Sequence, residues 1–188
     1  MAGDTVRDAV DRLLDVLEAS ETPYALGGAL ALAAWSEPRA TADVDVILWL
    51  PEAQWGQGVA LIRTAGVVLD PVVALRHAKE RGMFAGMLGA VRVDVFVPSI
   101  AFYDEALVRR TRTKVLGRDT WVHSAEVLAV FKLLFFRPKD LIDIERMLNV
   151  QGGSFDRSFV REHIAEMVGD DDVRVAKWDE ITERVPLQ

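Results

Sequence analysis

The segment at positions 43–48, Asp-Val-Asp-Val-Ile-Leu, has the pattern of a β-strand and carries two carboxylates. Hydrophobic residues alternate with the aspartates, which is the period of two of a half-buried strand. Because side chains two residues apart point to the same face, Asp43 and Asp45 should lie side by side. Two neighbouring anions raise each other's pKa unless a cation lies between them, and Mg²⁺ is a common oxygen-bound cation. For this pair alone, the alternative is two solvated aspartates at the end of an edge strand.

The composition is that of a folded chain. With 188 residues, 51% of them hydrophobic and 27% charged, it can bury a core and form one domain, or one domain with a helical extension. The net charge of −7 argues against sequence-blind attachment to nucleic acid. The absence of cysteine excludes disulfides and thiolate–metal chemistry, and fits a cytoplasmic protein. No hydrophobic run approaches the ~18 residues of a membrane span, and residues 1–5 lack a signal-peptide core, so neither a span nor a leader is expected.

The order of predicted elements gives an α/β (α+β) fold. We expect a mixed sheet with flanking helices over residues 1–123, followed by a C-terminal helical bundle over residues 124–188 that packs on this core. Strands are predicted at 24–26, 44–50, 83–88, 91–97 and, as a hairpin or extended pair, within 111–123. Helices are predicted at 5–20, 29–35, 51–64, 100–110, 125–136, 139–150, 155–168 and 171–184. Residues 67–69 could form a short strand, and residues 70–81 a loop or a helix.

Two further features carry chemistry. Gly27 and Gly28 lie between a strand and a helix start, where backbone N–H groups can meet a phosphate, although tight turns explain most glycine pairs. Asp94 lies on a strand of alternating valines that would draw it towards the protein interior. A buried carboxylate is costly without a partner, so a partner charge is expected.

These features occur in the order of a known signature. Leu26-Gly27-Gly28, Asp43-Val44-Asp45 and Val93-Asp94-Val95 resemble the motifs of the nucleotidyltransferase superfamily with a polymerase-β-like core. The run from Arg39 through Thr41 to Asp45, and Lys132 followed by Lys139-Asp140-Leu-Ile-Asp143, are more specifically similar to the small bacterial AbiEii-type toxins of toxin–antitoxin pairs. The resemblance covers roughly residues 24–148.

The resemblance implies an enzyme and its parts. The activity would be Mg²⁺- or Mn²⁺-dependent transfer of an NMP group from an NTP to a tRNA, a protein or a small molecule, and an antitoxin protein would be a possible partner. The metal ligands would be Asp43, Asp45 and Asp94, close enough to share cations. These three and Lys132 would be the catalytic residues. The nucleotide would contact Gly27, Gly28, Arg39, Thr41, Lys132 and Asp140.

Lys132 interrupts an apolar helical stripe, so it must reach the protein edge or meet a buried anion. We expect it at the active site, paired with the triphosphate when nucleotide is bound and with Asp94 or Asp140 otherwise. For Asp140 and Asp143, which share a helix face, the alternative is favourable charge at a helix start. For the cationic residues between Arg109 and Arg118, the alternative is a solvated face.

Two other functions compete. A catalytically inactive nucleotide- or partner-binding module would keep the fold, although the retention of all three carboxylates argues against it. A haloacid-dehalogenase-type phosphatase also carries Asp-x-Asp, but it needs Gly-Thr soon after the second aspartate. Here Val-Ile-Leu follows at positions 46–48, which disfavours the phosphatase.

Overall fold

The computed structural model describes residues 5–185 and contains one six-stranded mixed sheet. The N-terminal segment at which a leader was considered lies mostly outside the described residues. The strands are β1 (Tyr24–Leu26), β2 (Asp43–Leu48), β3 (Met83–Leu88), β4 (Val91–Phe96), β5 (Thr111–Val115) and β6 (Arg118–Val122). Their spatial order is β3-β4-β2-β1-β6-β5. The central strand β2 is antiparallel to β1 and parallel to β4, and β1 is parallel to β6.

Helices precede, connect and follow the strands. They are α1 (Val6–Ala19), α2 (Gly28–Leu32), α3 (Trp55–Thr64), α4 (Pro71–Arg81), α5 (Phe102–Val108), α6 (Ala125–Phe135), α7 (Pro138–Gln151), α8 (Arg157–Val168) and α9 (Val173–Arg184). Short 3-10 turns at Glu52–Gln54 and Gly152–Ser154 precede α3 and α8. The predicted mixed sheet with flanking and C-terminal helices is therefore confirmed.

The segment that the sequence left open contains a bridge and a helix. Val68 forms an isolated bridge with Met87 of β3. The Asp70 side chain then accepts hydrogen bonds from the backbone N–H groups of Val72 and Val73, and Pro71 occupies the first turn. This N-cap starts α4 because a capping side chain satisfies N–H groups that have no partner within the helix.

The sheet positions the site because β2 has two different faces. Val44, Val46 and Leu48 are fully buried in the hydrophobic core, while Asp43 and Asp45 point to the opposite face. The helices after β6 contact this region through α6, which packs against α2, α7, α8 and α9.

One hydrophobic cluster contains buried side chains from both parts of the chain. The division at residue 123 stays a prediction. Among the described residues, no helix is long and apolar enough to cross a membrane.

Candidate active site

Two adjacent parallel strands bring the central carboxylates together. Asp45 of β2 is the register partner of Asp94 of β4. Two residues earlier on both strands, Asp43 is the register partner of Arg92. Partners in register on neighbouring strands have their side chains on the same face, so all four side chains share one side of the sheet. Asp43, Asp45 and Asp94 line one cavity of about 120 Å³.

Asp45 is a carboxyl group whose pKa is strongly raised by its surroundings. Burial, then the charges of Asp94 and Asp43, raise its pKa to about 6. Arg137 and Lys132 act in the opposite direction but do not outweigh these causes. Asp45 therefore stands in a site that disfavours a further negative charge and would bind a cation readily.

The glycine turn lies directly against Asp45. The Gly27 N–H donates to the Asp45 carbonyl oxygen at 2.9 Å. Gly28 has φ +52, and a Cβ there would lie 1.8 Å from Asp45 Oδ2. A side chain at position 28 would therefore be strained and would displace the carboxylate, so the glycine is required by the site itself.

Asp94 has the partner charge that the sequence predicted. Arg92 Nε lies 2.9 and 3.0 Å from the two carboxylate oxygens of Asp94, and Arg92 Nη2 lies 2.7 Å from Oδ1. Side-chain exposure is 52% for Arg92 and 16% for Asp94, so this ion pair lies at the cavity edge. The sequence analysis missed Arg92, although its position two residues before Asp94 on the same strand was the available signal.

Lys132 meets buried anions, as its position on α6 required. Its Nζ lies 2.6 Å from Asp143 Oδ2 and 3.5 Å from Asp140 Oδ1, with only 4% of the side chain exposed. Of the two carboxylates expected to pair with Lys132 in the absence of nucleotide, Asp140 is confirmed. The other, Asp94, pairs with Arg92 instead, so the expectation of a Lys132–Asp94 pair is wrong. Asp143, which the sequence analysis gave as part of the motif with Asp140 but not as a partner of Lys132, is nearer to the Lys132 Nζ than Asp140 is.

The same cluster extends to two arginines. Arg39 contacts Asp143 through Nε and Nη2, and Arg137 contacts Asp140 through Nε at 2.6 Å. Burial opposes ionisation of Asp143, but hydrogen bonds from Lys132 and Arg39 lower its pKa below the usual value. Neither Asp140 nor Asp143 lines the cavity, whereas Lys132 and Arg137, with which Asp140 pairs, do.

The cavity contains most of the predicted residues and several that the sequence did not reveal. Of the predicted set it is lined by Gly27, Gly28, Arg39, Thr41, Asp43, Asp45, Asp94 and Lys132. Thr41 also accepts a hydrogen bond from the Asp43 N–H, which fixes the turn before β2. The additional lining residues include Arg137, Lys139, Tyr103, His123, Phe131 and Phe135. Phe131, Phe135, Arg137 and Lys139 belong to the segment that also holds Lys132, whereas Tyr103 and His123 come from other parts of the chain.

The cationic residues between Arg109 and Arg118 have structural partners instead. Arg118 pairs with Asp11 and Asp15 of α1, and Arg112 pairs with Glu18. None of the residues from Arg109 to Arg118 lines the cavity. These arginines attach the β5–β6 hairpin to α1 rather than bind a substrate in the cavity.

The carboxylate oxygens of the site are ligands that suit Mg²⁺ or Mn²⁺. Three carboxylates face one side of the sheet, and one of them, Asp45, has a raised pKa. Over residues 5–185, however, no group of three His, Cys, Asp or Glu side chains is arranged to hold a metal ion. The Arg92 contact with Asp94 is the local reason we assign. Metal ligation by all three would require Asp94 to exchange the guanidinium for the ion.

Comparison with known proteins identifies the fold. No protein-family model matches the sequence, and no curated protein matches it. The solution structure of the antibiotic-resistance factor ANT(2″)-Ia matches with a TM-score of 0.64 and 14% identity, over 86% of this chain and 92% of that one. The crystal structure of ANT(2″)-Ia in complex with adenylyl-2″-tobramycin matches with a TM-score of 0.58 and 15% identity, over 95% and 100%. An antigenic nucleotidyltransferase-like protein from Paracoccidioides brasiliensis has a TM-score of 0.45 and 16% identity, over 93% and 90%.

The fold is nucleotidyltransferase-like. At these identities the similarity is one of fold, and the residue roles rest on the geometry of this site. The more specific resemblance to AbiEii-type toxins stays a prediction.

Proposed function

We propose that this protein is a divalent-metal-dependent nucleotidyltransferase that moves an NMP group from an NTP to an acceptor. The observation that carries the proposal is the pairing of Asp45 with Asp94 in register on parallel strands, directly against the Gly27–Gly28 turn. Acidic side chains beside a glycine turn at the start of a helix can serve a metal-bound phosphate, which neither group would bind well alone.

Each group in the cavity has a proposed task. Asp43 and Asp45 hold Mg²⁺ or Mn²⁺, and Asp94 completes the set and orients the acceptor's attacking hydroxyl. When bound, the metal ions supply activation of that oxygen and stabilisation of the departing pyrophosphate. Gly27 and Gly28 let backbone N–H groups approach the phosphates without a Cβ in the way.

The cations of the cavity neutralise the triphosphate. Arg39, Lys132, Arg137 and Lys139 line it together with the three carboxylates. Lys132 and Arg39 are held in place by Asp143, and Arg137 by Asp140. Thr41 supports the loop that carries Arg39 and Asp43. Charges fixed in this way need no reorganisation when negative charge develops on the leaving group.

The acceptor is a tRNA, a protein or a small molecule. ANT(2″)-Ia in complex with adenylyl-2″-tobramycin is a precedent for a small molecule on this fold. A toxin role, with an antitoxin as protein partner, is a further part of the proposal that follows only from the sequence resemblance.

One observation favours a second function, a nucleotide- or partner-binding module without transfer. Arg92 already neutralises Asp94, which is the arrangement expected if that carboxylate has a structural role. An enzyme and a nucleotide-binding module both predict nucleotide binding, so transfer itself must be measured.

The test is incubation of the purified protein with each α-³²P-labelled NTP, Mg²⁺ and total cell extract. A nucleotidyltransferase labels a macromolecule or a small acceptor from at least one NTP, and EDTA abolishes the labelling. If nucleotide binds in a Mg²⁺-dependent manner but no fraction of the extract is labelled, the binding-module function replaces the enzyme.

A further inference from the structure

The cavity has a second end that the transfer chemistry leaves unused. Leu26 of β1 is the register partner of Val122 of β6, so the next residues, Gly27 and His123, are neighbours on the same face. The His123 N–H donates to the Leu26 carbonyl oxygen at 3.1 Å, which fixes this alignment. Asp94, Asp45, Gly27 and His123 therefore form one row across four strands, and all four line the cavity.

The centre of the row carries no polar side chain. Gly27 has no side chain, and the atom nearest to the position of its missing Cβ is Ile47 Cδ1 at 3.1 Å, so an apolar side chain that also lines the cavity covers this part of the floor. Two strand spacings separate Asp45 and His123, which corresponds to about 10 Å. Helix α6 crosses above the row and contributes Leu128, Phe131 and Lys132 to the lining. The acidic end and the His123 end are thus parts of one continuous site.

His123 is unusual among the buried polar residues. Its side chain is 2% exposed as a residue, and neither ring nitrogen has a hydrogen-bond partner within residues 5–185. The ring stacks on Phe131 with a centroid distance of 5.1 Å and an interplanar angle of 23°. Burial lowers the pKa of His123 to about 3, so the imidazole is neutral and offers one donor and one acceptor.

The surroundings of His123 restrict what could satisfy it. Tyr103, Leu128 and Phe131 line this end, with the Tyr103 and Phe131 rings 5.1 Å apart. Two of the ionic side chains that line the cavity, Lys132 and Arg137, are near enough to Asp45 to lower its pKa. An ammonium group or a polyhydroxylated sugar would lose its hydration here and find few partners. A flat, uncharged heterocycle with donor and acceptor groups on its edge suits both the aromatic walls and the imidazole.

We propose that the Tyr103–His123–Phe131 end of the cavity binds a nucleobase and that His123 recognises the hydrogen-bonding edge of that base. This inference rests on the proposed function, because the adjoining acidic end is where the phosphates of the same substrate would react. The base comes either from the donor NTP or from the end of a nucleic-acid acceptor, and both sources have the same chemistry.

The experiment compares two matched variants by calorimetry on the full chain with Mg²⁺. His123→Phe retains the aromatic stack and the backbone hydrogen bonds but removes both ring nitrogens. His163→Phe is the control, because His163 also packs between aromatic rings, Phe102 and Phe159, yet lies outside this cavity. The ligands are the four NTPs, inorganic tripolyphosphate, which has no base, and a short single-stranded oligonucleotide.

We expect His123→Phe to weaken binding of the preferred NTP about tenfold, the effect of one lost hydrogen bond in a desolvated site, without changing tripolyphosphate binding. His163→Phe should change neither. If the oligonucleotide rather than the NTP loses affinity, the base belongs to the acceptor and the subsite is still supported. Equal affinities of His123→Phe and wild type for every ligand would overturn the inference.

Folding does not obscure the outcome. Replacing an unpartnered buried polar ring by an apolar one should leave the melting temperature equal or higher. If the variant nevertheless fails to fold, ¹⁵N chemical shifts of the His123 imidazole in the wild type provide the second measurement. A shift with NTP or oligonucleotide but not with tripolyphosphate supports the subsite, and no shift with any of them overturns it.

An Asp45→Asn variant in the same series separates this inference from the proposed function. If the NTP requires Asp45 and the wild type transfers the label, but neither the NTP nor the oligonucleotide is affected by His123→Phe, the enzyme proposal stands and the base subsite falls. If the NTP requires His123 but no transfer occurs in the wild type, the base subsite stands and the enzyme proposal falls.

Discussion

At the scale of single residues, the properties of each carboxylate in the site depend on the groups that it contacts. Asp45 lies between the glycine turn and Asp94, and its burial, together with the charges of Asp94 and Asp43, raises its pKa to about 6. Asp94 instead has a guanidinium within hydrogen-bonding distance. Asp45 and Asp94 are register partners on neighbouring strands, but their environments differ. Substitution of each should therefore have a different effect on stability.

Asp45→Asn should stabilise the metal-free protein above pH 6 and have little effect near pH 4. The folded pKa is above the unfolded value of 3.8, so wild-type Asp45 binds its proton more tightly when folded, and its contribution to stability declines as pH rises from about 4 to about 6. Asparagine does not ionise, so the variant does not lose this stability as the pH rises. Urea denaturation in EDTA at pH 4 to 8 measures the difference, and a gap that is independent of pH would contradict the assignment.

Arg92→Gln should increase the affinity for Mn²⁺. The guanidinium neutralises Asp94, and its own pKa is raised by Asp94, then by Asp43 and Asp45, so removing it leaves the carboxylates to the metal. The expected gain is about fivefold, equivalent to the ~1 kcal/mol of a partly exposed ion pair. Electron paramagnetic resonance titration gives the affinity. Arg112→Gln, which loses a similarly exposed pair with Glu18, is the control and should bind Mn²⁺ as the wild type does.

At the scale of elements, α6 and α7 form a paired support for the cavity. Lys132 of α6 and Asp140 and Asp143 of α7 are all buried. Two partly exposed arginines pair with these carboxylates, Arg39 with Asp143 and Arg137 with Asp140. The same lysine that faces the cavity therefore also joins the two helices. Its substitution tests packing as well as binding, which limits its use as a probe of phosphate.

Lys132→Met should destabilise the fold by about 3 kcal/mol, because it leaves two buried carboxylates with only their arginine partners. Chemical denaturation measures this loss, with Lys177→Met as the control, since Lys177 pairs with Glu180 on the exposed surface of α9. A variant as stable as the wild type would show that the Lys132 contacts contribute little to folding.

Lys139→Gln is the cleaner probe of the triphosphate. Lys139 is exposed at the start of α7, lines the cavity, and has no ion pair among the residues that the structure describes. We expect NTP affinity to fall about fivefold with an unchanged melting temperature, as for the loss of one solvent-screened charge. Calorimetry with Mg²⁺ and ATP tests this, and a change in melting temperature without a change in affinity would exclude the role.

At the scale of the whole molecule, the sequence predicted what is local and missed what is brought together by folding. The strand Val91–Phe96 follows from a period-two pattern, as does the shared face of Asp43 and Asp45. His123 could not be connected to Asp45 because the three strands β2, β1 and β6, which are neighbours in the sheet, are far apart in the sequence. Likewise, the Lys132 contact with Asp143 depends on how α6 packs on α7.

The measurement that tests the central claim most directly is single-turnover transfer from α-labelled NTP by Asp45→Asn and Asp94→Asn, on an identified acceptor. Asp119→Asn, an exposed aspartate on β6 outside the cavity, is the matched control. Both site variants should lose at least 10²–10³ in rate, as expected when groups that stabilise developing charge are removed. Asp45→Asn should melt at or above the wild-type temperature, Asp94→Asn should remain folded, and Asp119→Asn should transfer normally. Transfer at the wild-type rate by Asp45→Asn and Asp94→Asn would contradict the account, because the paired carboxylates would then be structural.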